Sequence, residues 1–92
     1  MTGEGRVTNF SARIRVTLKP AVNDPQGLAI AGGLRQLGFS TIGSVRAGKY
    51  FDIHLEAPDQ AAADKVVVDM CRKLLANPVI EDFTYEVVGT TN

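Results

Sequence analysis

The sequence has almost no cysteine, the residue with which small chains form disulfides and structural zinc sites. Among its 92 residues there is one cysteine, Cys71, and no tryptophan. A single thiol excludes both an intrachain disulfide and a cysteine-rich zinc site. We therefore expect a reducing, cytoplasmic compartment. Because a domain of this size buries a modest share of its surface, oligomerisation is a plausible source of added stability.

An excess of charge of one sign is also absent. Lys plus Arg and Asp plus Glu number 10 each, so the formal net charge is 0. Proteins that bind nucleic acids usually carry a basic excess, because neutralising phosphates drives their affinity. No apolar run approaches the ~20 residues that span a bilayer. We therefore expect neither a nucleic-acid partner nor a membrane segment.

Alternation of apolar and polar residues predicts the strands of the fold. Strands are expected over residues 12–20, within residues 40–57 and over residues 79–88. Gly48 interrupts the middle segment, which predicts either a tight turn between two strands or a bulge in one bent strand. The acidic residues Glu81 and Asp82 are interpreted as solvated charges at the edge of the last strand.

The first helix is predicted over residues 23–39. Asp24 is a suitable N-cap, and Pro25 fits the first turn, where its missing N–H costs nothing. Gly38 supplies a left-handed exit. The predicted apolar stripe consists of Leu28, Ala31, Leu34 and Leu37. Gly32 and Gly33 interrupt the helix at about 1 kcal/mol each relative to Ala, which indicates either close packing on a neighbour or local weakness.

The second helix is predicted over residues 58–78. Asp59 is its expected N-cap, Asn77 its expected left-handed terminator, and Pro78 prevents continuation. The predicted apolar stripe consists of Ala62, Val66, Met70 and Leu74, widened by Val67, Cys71 and Leu75.

The predicted order is therefore β-α-β-(β)-α-β. It indicates a small α+β protein of the ferredoxin-like type, an antiparallel sheet with two helices on one face. The domain prediction is a flexible N-terminal lead-in over 1–12, a single domain over 13–88 and a C-terminal tail over 89–92.

The sequence offers no convincing reaction centre. His54 lies with Asp52 and Glu56 on the polar side of a strand, which is compatible with a metal or acid–base cluster, although a solvated strand face is the commoner explanation. Cys71 falls on an apolar helix face and is interpreted as a buried packing thiol.

Two short segments carry residues with no evident local purpose. Arg46 and Lys49 flank a glycine and could converge on an anion, yet the spaced glycines of a phosphate loop ending in Lys-Ser or Lys-Thr are missing. A basic surface that contacts a partner is at least as good an interpretation. Gln26 and Gly27 follow the capping residues without a strong local role, which also favours a contact function.

Three segments together carry a family resemblance. They are "NDPQGLAI", "VRAGKYFDIHLE" and "CRKLLANPVIEDFTYEV". In order and spacing they resemble the PurS subunit of phosphoribosylformylglycinamidine (FGAM) synthase, from about Arg13 to Val87. The resemblance implies an accessory subunit of an ATP- and glutamine-dependent amidotransferase or ligase complex of purine biosynthesis, which converts formylglycinamide ribonucleotide to formylglycinamidine ribonucleotide.

The same resemblance implies how the chain takes part in that reaction. The chain itself is expected to hold no catalytic residue, cofactor or metal, while the complex uses ATP and Mg²⁺. The implied partners are a second copy of the chain (a dimer or higher oligomer), a large synthetase subunit of the PurL type and a glutaminase subunit of the PurQ type, between which ammonia passes. The candidate partner interface consists of Asp24, Pro25, Gln26, Gly27, Arg46, Gly48, Lys49, Tyr50, Asn77 and Pro78.

A second interpretation from another class stays open at this point. Small-molecule-sensing regulatory modules also have the order βαββαβ and bind ligands where two domains meet. Ligand-induced shifts in melting temperature would support such a sensor, whereas co-purification with two larger proteins would support the subunit.

Overall fold

The structure is a computed structural model that describes residues 8–90. Its elements follow in the order β1 (Thr8–Leu18), α1 (Pro25–Gln36), β2 (Gly48–Ala57), α2 (Gln60–Met70) and β3 (Glu81–Thr90), and α2 continues into a π-helical turn, Cys71–Leu75. The strands form one antiparallel sheet with β1 in the centre, in the order β2-β1-β3. The predicted α+β class, with an antiparallel sheet and two helices, is confirmed.

The first and last strands of the chain, β1 and β3, extend further toward the chain ends than the sequence suggested. Because β1 begins at Thr8 and pairs with both neighbours, the prediction of a flexible lead-in is wrong for residues 8–12. Residues 1–7 lie outside the described residues. Similarly, β3 runs to Thr90, so the predicted tail is wrong for residues 89–90, and residues 91–92 are not described.

The optional fourth strand does not form in the described chain. Residues 42–47 are irregular, and Gly48 is the first residue of β2, opposite Thr17 of β1. The backbone before Gly48 is bonded elsewhere: Arg35 Nη2 donates to the Gly43 carbonyl (2.6 Å) and the Ala47 N–H donates to Asp24 (2.7 Å). A side chain at Gly48 would place its Cβ 2.6 Å from the Val16 carbonyl oxygen, so glycine is required for the close pairing there.

Both predicted N-caps are confirmed. The Asp24 carboxylate accepts the Gly27 N–H (2.9 Å), and the Asp59 carboxylate accepts the Ala62 N–H (2.8 Å). Gly38 adopts the left-handed conformation, with φ of 100°. Within residues 8–90, neither helix is long and apolar enough to cross a membrane.

The core lies between β1 and α2. Its buried apolar side chains are Phe10, Ala12, Ile14 and Val16 of β1, Ala57 of β2, Ala63, Val67 and Cys71 on the helix, and Ala76. Half-buried Phe51, Ile53 and Leu55 of β2 and Phe83 and Val87 of β3 extend this apolar face of the sheet.

The buried face of α2 is rotated from the predicted one. Val66 and Leu74, expected to face the core, are exposed. The Ala76 N–H donates to the Cys71 carbonyl (2.9 Å), which is the wider i→i+5 spacing of a π-turn. The extra residue in this turn places Leu75 and Ala76, rather than Leu74, against the sheet.

Only α2 packs substantially on the sheet, whereas α1 belongs to a separate extension. We call residues 19–47, which include α1, the arm. The molecule measures 63 × 29 × 14 Å and has a radius of gyration of 18.1 Å. A compact domain of this length would have a radius of gyration of about 12 Å. Since β1 accounts for roughly 35 Å of the length, the arm projects beyond the end of the sheet.

Candidate partner-binding surface

One buried carboxylate ties the beginning of the arm to its last residue, next to the start of β2. Asp24 is buried, and its two oxygens accept N–H groups from opposite sides: Gly27 at 2.9 Å and Ala47 at 2.7 Å. These hydrogen bonds, first that from Gly27 and then that from Ala47, lower the pKa of Asp24, and the charge of Arg46 lowers it further. Asp24 thus joins the start of α1 to the residue that precedes β2.

Gly27 is needed for that junction to close. A Cβ on Gly27 would run into the backbone carbonyl of Val45 and lie 2.7 Å from Asp24 Oδ2. The prediction that Gly27 has no strong local role is therefore wrong. The sequence carries no signal for it, because Val45 approaches Gly27 only after the arm has folded back. We call Asp24, Gly27, Arg46 and Ala47 the arm root.

Arg46 supports the arm root from the outside. Its Nη2 donates to the carbonyls of Lys19 and Val22, both at 3.0 Å, which holds the turn that leads from β1 into α1. Lys49 Nζ lies 3.6 Å from Glu81 Oε2. Because both cations already contact groups of the protein, their placement favours a structural role over an anion site.

Asn77 begins a turn into β3 and does not end the helix. Among the described residues, positive φ is confined to glycine, so Asn77 is not left-handed. The residue before Asn77, Ala76, is already extended (φ −125°, ψ 144°). Asn77 Oδ1 accepts the Val79 N–H (3.0 Å), and its carbonyl accepts the Glu81 N–H (2.7 Å). The predicted left-handed terminator at Asn77 is therefore wrong, because side-chain and backbone bonds to the following residues hold a turn instead.

The sequence-based interpretation of Glu81 is also wrong. It was interpreted as a solvated edge charge, yet its side chain is only 12% exposed and lies beside Lys49. Its Oε1 accepts the Asn77 N–H at 2.7 Å. Glu81 therefore ties the turn before β3 to the first residues of β2, a link between distant segments that no local pattern indicates.

The structure brings together only part of the candidate interface. Asp24, Gln26, Gly48 and Lys49 line one cavity of about 160 Å³, which Glu81 also borders. Of these, Gln26, Gly48 and Lys49 are exposed, as is Pro25 beside them. These exposed residues beside the arm root are the part of the predicted interface that a single partner chain can contact at once.

The remaining candidates lie elsewhere. Tyr50 is exposed on the polar face of the sheet, where the Arg15 guanidinium lies 5.9 Å from its ring centroid. Pro78 lines a larger cavity of about 490 Å³ between the π-turn and β3, together with Arg72 and Phe83. The interface role of all these residues stays a prediction.

The residues considered for chemistry occupy separate places. His54 is exposed, with Nε2 4.0 Å from Asp52 Oδ1. Cys71 is fully buried against the sheet, and burial raises the pKa of its thiol. This packing agrees with the interpretation of Cys71 as a core residue. Within residues 8–90, no three His, Cys, Asp or Glu side chains are grouped so that they could hold a metal ion.

Large apolar side chains on the arm are left uncovered by the rest of residues 8–90. Leu37 is 75% exposed and Phe39 is 56% exposed at the end of α1, and Leu28 is exposed near its start. The predicted stripe of α1 thus exists, but of its members only Ala31 is buried. Scattered exposed apolar residues are normal, whereas several on one projecting element indicate a contact surface.

Together, the elongated shape and the uncovered arm define a small α+β protein built to contact other chains. The family model for PurS, phosphoribosylformylglycinamidine (FGAM) synthase, matches residues 11–89. The chain belongs to this family, the PurS subunits of FGAM synthase, an enzyme of purine biosynthesis.

Individual relatives agree with the family match. Phosphoribosylformylglycinamidine synthase subunit PurS of Synechocystis sp. is 48% identical over 81 residues, which cover 88% of this chain and 81% of the relative. The structure of Bacillus subtilis PurS superimposes with a TM-score of 0.78 at 42% identity, covering 86% of this chain and 98% of that one. A chain from the structure of PurLQS from Thermotoga maritima gives a TM-score of 0.77 at 33% identity, covering 89% and 98%.

Proposed function

We propose that the chain is a non-catalytic subunit that assembles with itself and joins a PurL-type synthetase subunit to a PurQ-type glutaminase subunit. In this role it holds the two active sites in register so that ammonia released from glutamine reaches the synthetase. ATP and Mg²⁺ act on the synthetase subunit, and this chain binds no cofactor. The complex works in the cytoplasm.

The observation that carries this proposal is the projecting arm. A radius of gyration of 18.1 Å in a chain of 92 residues means that much of the chain lies outside its own core. Within the arm, Leu37 and Phe39 follow α1 and are exposed. They lose contact with water only when another chain covers them. A rigid root at Asp24 and Gly27 fixes the direction in which the arm presents these side chains.

The relatives support the same role. One chain of similar fold and 33% identity comes from a structure of PurLQS, which contains PurS with the two other components of its name. Because a bridging subunit must contact several chains at once, an elongated molecule with separate apolar patches suits it better than a compact one.

The proposal is tested by reconstitution from three separately purified subunits. We expect the full chain to restore glutamine-dependent FGAM formation to the synthetase and glutaminase, and to co-elute with both on size exclusion. The double variant Leu37→Ser/Phe39→Ser should fold normally, because both side chains are exposed, but should lose co-elution and most of the restored activity.

Val88→Ser is the matched control for the arm variant. Val88 is an exposed apolar residue on the sheet, far from the arm, so its replacement removes exposed apolar surface, in a smaller amount, without touching the proposed contact. Full reconstitution by the arm variant, or equal losses in both variants, would contradict a bridging role for the arm.

The same material separates a subunit from a ligand sensor. A sensor would melt at a higher temperature in the presence of glutamine or purine nucleotides, because a ligand stabilises the state that binds it. We expect no such shift for the isolated chain. A clear shift without binding to either large subunit would favour the sensor.

A further inference from the structure

The last strand, β3, lies at an edge of the sheet and pairs only with β1 within residues 8–90. In antiparallel strands, the N–H and C=O of one residue face the same neighbour, and successive residues alternate. The Lys19 N–H donates to the Ile80 carbonyl (2.8 Å), so the even residues of β3 face β1. The backbone groups of its odd residues therefore point outward, where another extended chain can pair with them.

The two ends of this outward row are already bonded. At the start, the Glu81 N–H donates to the Asn77 carbonyl (2.7 Å), and near the end, the Val87 carbonyl accepts from Gln60 Nε2 (3.1 Å). Between them, within residues 8–90, no hydrogen bond reaches the outward N–H and C=O groups of Phe83 and Tyr85. The open part of the edge thus lies between Glu81 and Val87.

A groove runs beside this open part of the edge. Phe83 and Tyr85 are opposite Val16 and Ile14 of the core, so their side chains point to the face of the sheet that carries α2. They are not fully covered there, since Phe83 is half-buried and Tyr85 is 43% exposed. The helix therefore leaves a groove between itself and the edge of β3.

Near the start of β3 the groove widens into the cavity of about 490 Å³. Its apolar walls are formed by Cys71, Ala76, Pro78 and Phe83. Lys19 and Asp82 also line it but pair with each other (3.4 Å), and Glu81 pairs with Lys49 (3.6 Å). Of the charged residues that line this cavity, Arg72 alone has no ionic partner within residues 8–90.

Arg72 also borders a second cavity, of about 320 Å³, further along the groove. This cavity lies beside Tyr85, and its other charged residues, of both signs, are Asp64, Lys65 and Asp69. A chain in the groove would take the Arg72 guanidinium out of water, which is costly unless that chain supplies an acceptor. A carboxylate is the best acceptor, because it can take two parallel hydrogen bonds from one guanidinium.

The pleat of β3 sets the spacing of the side chains that would enter the groove. In an added antiparallel strand, the residues opposite Tyr85 and Phe83 point to the same face as those two side chains. The residue opposite Tyr85 comes first and lies beside the smaller cavity and Arg72. Two positions later, the residue opposite Phe83 enters the larger, apolar cavity. The complementary segment is therefore extended and carries an acidic residue two positions before an apolar one.

The groove begins at the arm, which indicates the source of such a segment. Lys19 is the first residue of the arm and lines the larger cavity, and its carbonyl accepts Arg46 of the arm root. A partner that covers the arm can therefore continue into the groove. Because the molecule is 63 Å long and β1 accounts for roughly 35 Å, such a partner must extend over about 30 Å beyond the sheet. This span favours the large synthetase subunit.

We infer that a short extended segment of the synthetase subunit adds antiparallel to the edge of β3. Its acidic side chain binds Arg72, and its apolar side chain fills the cavity beside Pro78 and Phe83. The inference rests on the proposed function and gives it a second surface, separate from the exposed side chains of the arm.

The first test reverses one charge in the full chain. Arg72→Glu places a carboxylate beside the acidic residue of the segment and should weaken binding to the purified synthetase about tenfold or more in calorimetric titrations. Lys73→Glu is the matched control: it makes the same change of charge one residue away, at an exposed position that borders neither cavity. The control should bind within about twofold of the wild-type chain.

The second test removes one outward N–H. Tyr85→Pro and Tyr85→Ala both lose the aromatic ring, but only proline loses the N–H, and an edge strand tolerates proline where its N–H faces outward. The proline variant should bind the synthetase about tenfold more weakly than the alanine variant. A measurement on the wild-type chain does not depend on how these variants fold: the Phe83 and Tyr85 amides should exchange hydrogen more slowly once the synthetase is bound.

The outcomes separate this inference from the proposed function. If the complex forms but Arg72→Glu binds like Lys73→Glu, or the two amides exchange as in the free chain, the inference is overturned and bridging stands. Protection of these amides without the synthetase, by a second copy or by the glutaminase, also overturns it. A wild-type chain that does not bind the synthetase contradicts both. Failure of the Leu37→Ser/Phe39→Ser variant, with binding still sensitive to Arg72→Glu, contradicts neither the groove nor its occupant.

Discussion

Replacing Gly27 with alanine tests whether the arm root is as rigid as its contacts indicate. The new Cβ would collide with the Val45 carbonyl and approach Asp24 Oδ2 to 2.7 Å. Neither group can move freely: the first belongs to the backbone, and the second is one oxygen of a carboxylate that accepts an N–H group on each of its oxygens. The segment before β2 must therefore move away from α1, and the bond from Ala47 to Asp24 is the first to be lost.

The expected size of the effect follows from three contributions. Inserting a methyl group into a filled space costs about 1–3 kcal/mol. Losing one buried hydrogen bond costs about 1 kcal/mol, and alanine regains about 1 kcal/mol over glycine in a helix. The free energy of unfolding should therefore fall by about 1–3 kcal/mol. For a domain of this size, the melting temperature should fall by roughly 5–20 °C.

Gly32→Ala in the same helix is the matched control. Nothing lies within 4 Å of its Cβ position, so only the gain in helix propensity remains and the melting temperature should rise. Both variants are melted by circular dichroism at one low protein concentration, because association alone shifts melting. If Gly27→Ala melted at or above the wild-type temperature, the reasoning about the arm root would be refuted.

Three further predictions concern single side chains. Because the pKa of Asp24 is lowered in the folded chain, its negative charge stabilises the fold at neutral pH, and this stabilisation is lost as the pH falls below about 4. The variant Asp24→Asn should therefore melt at a lower temperature at pH 7, and its melting temperature should fall less steeply in acid. Asn77→Gly should destabilise by about 1 kcal/mol in urea titrations through loss of the bond to Val79, whereas a left-handed residue would tolerate glycine without loss. Burial raises the pKa of the Cys71 thiol, so a thiol reagent at pH 8 should label it only as fast as the chain opens; rapid labelling of the native chain would contradict its place in the core.

The parts of the fold that sequence predicted well depend on neighbours close in the chain. Asp24 and Asp59 cap their helices through residues three positions on, so their identity and place suffice. The alternation in β1 depends only on which face is buried, and it holds throughout the strand. Gly38 takes the left-handed conformation for which glycine has no steric penalty.

The features that were not predicted from the sequence depend on contacts between segments far apart in the chain. The apolar stripe in the sequence shows that α1 has an apolar face but does not indicate which element covers that face. In this chain the sheet does not cover it. Asn77 before a proline suits a left-handed cap or a turn equally well, and the Glu81 carboxylate favours the turn. The function of Gly27 depends on Val45, which no local pattern connects to it.

The small core explains why the surfaces meant for other chains also matter to the fold. One helix and one face of a three-stranded sheet bury few large side chains, of which Ile14, Val16, Val67 and Cys71 are the largest that are fully buried. The half-buried side chains of β2 and the exposed leucines of the arm hold apolar area that the single chain leaves unused. Since burial of apolar area stabilises any state in which it occurs, partners that cover these surfaces stabilise the fold itself. For this chain, assembly and stability are therefore properties of the same residues.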